Sequence, residues 1–379
     1  MRVRAVIVVY SSTVVDHSGN VVSGGAEIYL SELSVLALRL GYQVTLVQCG
    51  PKQARSSWNG VDVRSVAWRP SLRRRRPDAE LRTMLREFDR RETLVVFGSE
   101  GVAFRLGDGW RSLLIQHGIG FDYPTSGRSL GPLKAVRATG MAQSLVRWEA
   151  LRSARSADFI VCVDYIYPTW LMTFDASMRR KVLTIPNFAR LSGRRAYRYS
   201  PSPRILFARR LVERRGALLM ANAIKLLRSR GADFQATFAG HGDAEEDLKA
   251  AFGNDRRVEF RRYPRELVQE IHSEHDIAVV PSLASEGTSF SLLEAMAAGC
   301  AVVATGVGGL TNVVIDGHNG LLCAPDPDAL ADAIGSLVRD QAMAARLART
   351  GYETVEHAFG FDRWCQRWET VLTRMFELG

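Results

Sequence analysis

Short runs of β-branched and other apolar residues alternate along this chain with longer stretches in which apolar positions recur every three or four residues. The short runs predict strands at Ala5–Val9, Val44–Gln48, Val61–Val66, Leu94–Phe97, Leu113–Gln116, Phe159–Val163 and Val182–Ile185. A second series follows at Ile205–Ala208, Gln235–Ala239, Val258–Phe260, Ile277–Val280, Ala301–Ala304 and Gly320–Cys323. Many are apolar throughout, as parallel strands covered on both faces must be. The longer spacing predicts helices at Glu27–Leu40, Ala79–Asp89, Lys134–Ser153, Ala217–Arg228, Glu245–Ala251, Arg265–His272, Phe290–Ala298, Pro327–Leu347 and Phe361–Glu377. Leu30, Leu33, Ala37 and Leu40 make the stripe of the first, and Gly41 stops it. In the last, Trp364, Trp368, Leu372 and Met375 share one face, which needs a surface to cover.

Repeated strand–helix–strand order predicts an α/β protein with doubly wound parallel sheets. The stretch from Pro186 to Pro203 is basic, aperiodic and carries three prolines, and a fresh strand begins just after it. The chain therefore divides into two Rossmann-like domains. One covers residues 1–187 with the last helix, 361–379, packing back toward it; the other covers residues 188–360.

Composition adds little to the fold: 46% hydrophobic and 24% charged residues in 379 suffice for two ordinary cores. Five cysteines form no CxxC pair, and Cys49, Cys162 and Cys323 lie in apolar runs, so they read as core residues of a reducing compartment. The first apolar run, Ala5 to Tyr10, is too short for a signal peptide or a membrane span, and no run reaches 18 residues, which predicts a cytoplasmic protein. The formal charge of +10 admits nucleic acid, an anionic membrane or an acidic substrate as partner. No aromatic platform or nucleic-acid motif accompanies the basic residues, so nucleic acid is not expected. Arg69, Arg73 to Arg76, Lys134, Arg137, Arg147, Arg152 and Arg155 concentrate charge on the first domain and suggest peripheral contact with an anionic membrane.

The strongest chemical signal is Glu286-Gly-Thr-Ser-Phe-Ser-Leu-Leu-Glu294, followed by Ala-Met-Ala-Ala-Gly299. Glu286 ends a strand–loop, and Glu294 lies two turns into the next helix. Gly287 permits a tight turn, and Thr288 or Ser289 can cap the helix before Phe290. Amide N–H groups at a helix start suit phosphate or sugar oxygens, and the carboxylates suit sugar hydroxyls. The block also sits at the carboxyl end of a parallel strand, where such folds bind ligands. Three further segments lie at strand ends or helix starts. Phe207-Ala-Arg-Arg-Leu-Val-Glu-Arg-Arg-Gly216 is rich in arginine. Ser23-Gly24-Gly25-Ala-Glu27 opens the first helix, and His117-Gly118 ends a strand, with Asp122 nearby. No Asp-x-Asp stands in a plausible metal site. Asp326-Pro-Asp328 reads as a helix cap, and His272 with His275 is no metal pair.

These motifs resemble glycosyltransferase family 4, whose hallmark is Glu-x7-Glu. The resemblance extends to that family's Gly-Gly-x-Glu loop, its Gly-Arg-Leu…Lys-Gly segment, its His-Gly, and its Gly-Gly…Asp-Gly…Gly tail, here Gly308 to Gly320. It implies a retaining, metal-independent transferase of GT-B fold, with the two domains facing across a cleft and no cofactor beyond the nucleotide-diphosphate sugar itself. It implies catalytic roles for Glu286, His117, Arg210 and Arg215. Donor binding falls to Gly24, Gly25, Arg210, Arg215, Glu286, Gly287, Thr288, Ser289, Phe290 and Glu294, with Glu286 on the sugar and Glu294 on the ribose hydroxyls. The acceptor would be a glycan or a lipid-linked hydroxyl on the first domain. The departing phosphate oxygen would take the acceptor proton, so no dedicated base is needed. The sequence departs from the family at Arg209 and Arg262, where glycine is usual, and at Asn312, where glutamate is usual. A non-catalytic sugar-nucleotide-binding protein, a disaccharide synthase and a phosphorylase are the competing readings.

Overall fold

The computed structural model describes residues 4–22, 24–68, 77–120, 140–191, 193, 197, 200–253 and 255–377. They form two compact units. The first runs to His117, resumes over Gly140–Ile185 and ends with the chain from Trp364; the second holds residues 118–120 and Pro186–Arg363. The chain thus passes between units at Ile185, two residues before the break expected after Asn187.

In the first unit the strands are β1 (Ala5–Tyr10), β2 (Gln43–Gly50), β3 (Ala54–Trp58), β4 (Val61–Ala67), β5 (Thr93–Phe97), β6 (Arg111–Gln116), β7 (Phe159–Cys162) and β8 (Val182–Thr184). Their order is β3-β4-β2-β1-β5-β6-β7-β8. Every neighbouring pair is parallel except β3 with β4. That hairpin was not expected, because Ala-Arg-Ser-Ser-Trp carries no apolar alternation. Its signal is Asn59-Gly60 between Trp58 and Val61, both with positive φ, which is the chemistry of a two-residue hairpin turn. Helices α1 (Gly25–Arg39), α2 (Asp78–Leu85), α3 (Gly140–Ser156) and α4 (Ile166–Phe174) belong to this unit. Helix α4 was also missed: its Tyr-Pro-Thr-Trp core lacks a clear stripe, and Asp164 starts it by accepting from the amides of Ile166 and Tyr167.

The second unit carries β9 (Arg204–Ala208), β10 (Gln235–Ala239), β11 (Val258–Arg261), β12 (Ile277–Val280), β13 (Ala301–Thr305) and β14 (Leu321–Cys323), all parallel, in the order β11-β10-β9-β12-β13-β14. Its helices are α5 (Ala217–Ser229), α6 (Glu245–Phe252), α7 (Val268–Ser273), α8 (Phe290–Ala297), α9 (Pro327–Arg339) and α10 (Gln341–Thr354). The single helix expected over Pro327–Leu347 is two, because Asp340 leaves the helical conformation and caps α10 by accepting from Met343 N. Asp326 caps α9 through the amides of Asp328 and Ala329, as read from its sequence. The core packs Ile205 and Phe207 of β9 with Phe238 of β10 under α5 and α9, all solvent-free. Such burial of large apolar side chains contributes roughly 2 kcal/mol each.

The last helix, α11 (Phe361–Glu377), buries Trp364, Trp368, Leu372 and Met375, the stripe expected of it. From Trp364 on it belongs to the first unit. There Trp364 and Trp368 meet the ring of Tyr29 edge-on at 5.2 and 6.0 Å. All five cysteines are free. Cys49, Cys162 and Cys300 are buried, whereas Cys323, expected in the core, is only half-buried at a sheet edge.

Candidate donor site and comparisons

Each sheet has one point where the strand order turns back on itself. In the second unit it is β9, which pairs with β10 on one side and β12 on the other. Ligands of open parallel sheets bind beyond the carboxyl ends of the strands at such a point. Here the two segments singled out by sequence arrive together: residues 209–216 follow β9, and residues 281–289 follow β12.

They meet through Glu286. Its carboxylate accepts from Nη2 of Arg209 at 2.8 and 2.9 Å, from Nη1 of Arg215, and from the Ser282 hydroxyl. Arg209 also donates from Nη1 to Ser282 at 2.8 Å, and Arg214 donates to the Ser285 carbonyl at 3.0 Å. Burial alone would raise the Glu286 carboxyl. Arg209 and Arg215, with Ser282, instead bring it down to about 2. Burial lowers Arg209 from its usual range, opposed by Glu286.

One expected residue is displaced from this cluster. Arg210, assigned to the diphosphate by resemblance, is exposed and makes no side-chain ion pair among the described residues. Arg209, one position earlier, takes the inward place. Its amide still bonds to Ala239 O, so the ladder continues past β9 and Arg209 shares the face of Ile205 and Phe207. The other glycine replacement, Arg262, is exposed and bonds Glu245 at 2.8 Å.

The loop after Glu286 is held differently from the expectation. Neither Thr288 nor Ser289 caps α8. The Thr288 hydroxyl accepts from Asn187 N at 2.7 Å, and its carbonyl accepts from Asn187 Nδ2. Ser289 stands at the N-cap position with extended backbone, but its hydroxyl pairs with Ser291 at 3.1 Å. The α8 amides are therefore left without a side-chain cap. Phe290 stacks edge-on against Phe188 at 5.3 Å. Gly287 lies under Gly308 and Gly309: the Gly309 amide donates to Glu286 O at 2.7 Å, and a Cβ at Gly309 would fall 2.6 Å from the Gly287 carbonyl carbon. The glycine pair of the tail is thus needed for backbone-on-backbone contact with the Glu286 loop.

Glu294 lies on α8, buried. Burial raises its carboxyl, and Arg265, 3.4 Å away, works against that rise. Arg265 also lies 6.0 Å over the Phe290 ring. Arg209, Ser282 and Arg265 were not picked from sequence as site residues. In the sequence Arg209 stands out only as a departure from glycine.

The first unit presents its own candidates at strand ends. His117 follows β6. Its Nε2 lies 3.0 Å from Gly98 O, which can only accept, so Nε2 carries the proton. Burial lowers its pKa to about 4, with the Gly98 bond opposing, and the ring meets Tyr29 edge-on at 5.6 Å. At the start of α1, Glu27 folds its carboxylate onto Gly24, where any Cβ would overlap it. An acidic group of the chain itself therefore already sits at the turn of Gly24 and Gly25. Ser23, Asp122, Arg69, Arg73 to Arg76, Lys134 and Arg137 lie outside the described residues. His275 is engaged by Ile271 O at 2.7 Å and Thr237 Oγ1 at 2.9 Å. Among the described residues no helix is long and apolar enough to cross a membrane.

A family model described as "Glycosyl transferases group 1" matches residues 202–340. The D-inositol 3-phosphate glycosyltransferase of Nocardia farcinica is 39% identical over 132 residues, which are 34% of this chain and 28% of that protein. A GDP-mannose-dependent alpha-(1-6)-phosphatidylinositol monomannoside mannosyltransferase of Mycolicibacterium smegmatis is 31% identical over 201 residues, 50% of this chain and 51% of that one. The chain therefore spans about half or less of the length of these relatives. The solved sucrose-phosphate synthase of Thermosynechococcus elongatus superposes with a TM-score of 0.73 at 19% identity, covering 99% of this chain and 100% of that one.

Proposed function

We propose that this chain, whose residues 202–340 belong to the group 1 glycosyl transferases and whose two units have the GT-B fold, is a family 4 transferase that acts with retention of anomeric configuration. It moves a sugar from a nucleoside diphosphate-sugar to a hydroxyl of a glycan or lipid-linked acceptor in polysaccharide or glycoconjugate synthesis. The observation that carries the reading is the meeting of Arg215 with Glu286 at the strand-order reversal, with buried Glu294 on the helix that follows.

In this reading the second unit binds the donor. Glu286 orients the sugar, Glu294 receives the ribose hydroxyls, and the uncapped amides of α8 face the phosphates. As the glycosidic bond breaks, negative charge grows on the diphosphate. Arg215 stabilises that charge without a metal ion, and Arg210, displaced from the cluster, is left to meet the diphosphate from solvent. The acceptor hydroxyl attacks on the face the diphosphate leaves, and the departing phosphate oxygen takes its proton. His117 and the Gly24–Gly25 turn belong to the acceptor-side unit.

The test is incubation of the purified protein with UDP-, GDP- and ADP-sugars. Release of nucleoside diphosphate is followed with and without candidate acceptors, and product anomers are read by NMR. Failure to bind or turn over any nucleotide sugar would end the reading; an inverted product would end its stereochemical part.

For the acceptor, helix α3 exposes Leu145, Val146 and Trp148 beside Arg147 and Arg152, with the Arg152 guanidinium 5.6 Å from the Trp148 ring. Apolar and cationic groups on one exposed helix suit the face of an anionic bilayer, which would place the enzyme at the cytoplasmic side of a membrane carrying its acceptor. Flotation with anionic vesicles at low salt should carry the protein upward; recovery only in the dense fraction would remove this part.

A further inference from the structure

An ionised carboxylate offers about four acceptor positions. On Glu286 all are in use. Oε1 receives Arg209 Nη2 and the Ser282 hydroxyl; Oε2 receives the same Nη2 and Nη1 of Arg215. A carboxylate so committed cannot also accept from a sugar hydroxyl. One partner has to leave before Glu286 can do what the donor reading asks of it.

The two arginines differ in how firmly they are held. The Arg209 side chain is 6% exposed, its Nη2 spans both carboxylate oxygens, and its Nη1 is tied to Ser282. The Arg215 side chain is 26% exposed and touches Glu286 through Nη1 alone. Arg215 is therefore the partner that can be withdrawn. A diphosphate can take it, because it offers a multiply charged acceptor for the same guanidinium. In addition, Nε of Arg209 is buried without a hydrogen-bond partner among the described residues, so this guanidinium keeps one donor in reserve inside the site.

We propose that Arg209 is the fixed counter-ion that positions Glu286, and that Arg215 is shared: the donor diphosphate withdraws it from Glu286 and so frees one carboxylate lone pair for the donor sugar. Binding of diphosphate and recognition of sugar are thereby coupled through a single guanidinium. This rests on the nucleotide-sugar reading above. It assigns to Arg209, at a position where the resemblance expects glycine, a role that glycine cannot fill.

The first test is calorimetric titration of the full-length protein with UDP, GDP and ADP, which carry the diphosphate but no sugar. Glu286→Gln removes the competitor for Arg215, so the nucleotide that binds the wild-type should bind this variant more tightly, on the order of tenfold. In a double-mutant cycle, Arg215→Ala should cost more affinity in the Glu286→Gln background than in the wild-type, because only there is the guanidinium uncommitted. Equal cost in both backgrounds, or unchanged nucleotide affinity of Glu286→Gln, overturns the exchange while leaving the transferase reading intact. Wild-type protein that binds none of the three nucleotides overturns both.

The second test concerns Arg209, using donor turnover by wild-type, Arg209→Gly and Arg209→Lys. The charged or polar groups facing Glu286 are Arg209, Arg215 and Ser282, with Arg210 adding its field through Arg209. Without Arg209, a buried carboxylate with one cation fewer should titrate at higher pH. The kcat/KM of Arg209→Gly should then begin to fall at a higher pH than that of the wild-type as the solution is made acidic, and Arg209→Lys should restore the wild-type profile. Melting curves separate loss of fold from loss of function. A folded Arg209→Gly with wild-type kcat/KM and a wild-type pH profile overturns the positioning role.

Discussion

Replacing Tyr29 with Phe is a one-atom test of what holds the last helix in the first unit. The Tyr29 ring is fully buried, and its hydroxyl accepts from Trp368 Nε1 at 2.9 Å and donates to the Ile185 carbonyl at 3.1 Å. Burial pushes the phenol well above its usual range, so it stays neutral and can do both at any working pH. Tyr29→Phe keeps the ring contacts with Trp364, Trp368 and His117. It strips one donor and one acceptor of their partner at once. Trp368 is itself solvent-free, so water cannot replace the lost oxygen without repacking. Each buried polar group left unpaired costs about 1–3 kcal/mol, so the two together cost about 2–6 kcal/mol. In a unit of this size that is a fall in melting temperature of roughly 4–24 °C. Near-UV circular dichroism with urea denaturation measures it, because the two tryptophans of the stripe report their packing directly. Trp368→Phe supplies the cycle: the second substitution should cost less on top of the first than alone, since both break the same bond. A Tyr29→Phe loss under about 0.5 kcal/mol would refute the claim that this hydroxyl is an obligatory bridge.

Acid should weaken the second unit through His272 and His275, which burial lowers to about 3 and about 4. The folded state keeps both neutral while the unfolded chain takes protons below about pH 6.5. Their stabilising effect is therefore complete above that pH and is lost as the pH falls toward 4, by about 2 kcal/mol for His275 at pH 5. Urea midpoints at pH 7 and 5 measure this, and His275→Gln should flatten the slope. Gly216 has φ +79° and its missing Cβ faces the Pro281 carbonyl, so Gly216→Ala should cost about 2 kcal/mol or more and shift Arg215, raising the donor KM; unchanged melting and KM would contradict this. Thr288→Val removes the acceptor of the Asn187 amide and should cost about 1–3 kcal/mol, with a weaker donor affinity in the same titration used for the nucleotides.

Much of this molecule could be read from neighbouring residues along the chain. The strands of both sheets follow from short apolar runs, and the Trp364–Met375 stripe from helical spacing, because each depends on a period that the backbone imposes locally. The placement of Glu286 before a helix and Glu294 on it needs only a strand end, a glycine and eight residues. Two features that periodicity misses also have local signals. Asn59-Gly60 announced the β3–β4 hairpin, and Asp340 announced the break between α9 and α10.

Other features depend on residues far apart in sequence. Which of two adjacent arginines faces Glu286 is decided by the register of β9 between β10 and β12, since a single step along a strand reverses the side chain. The motif pointed to Arg210; the ladder turned Arg209 inward. Thr288 could have capped its own helix, but Asn187, 101 residues earlier, claims its hydroxyl. The apolar stripe of the last helix called for a partner without naming it, and Tyr29 became that partner only once the chain had returned to its first unit. Periodicity specifies which face of an element is buried; what that face meets, and which charges lose their water together, depends on distances that exist only after the sheets have formed.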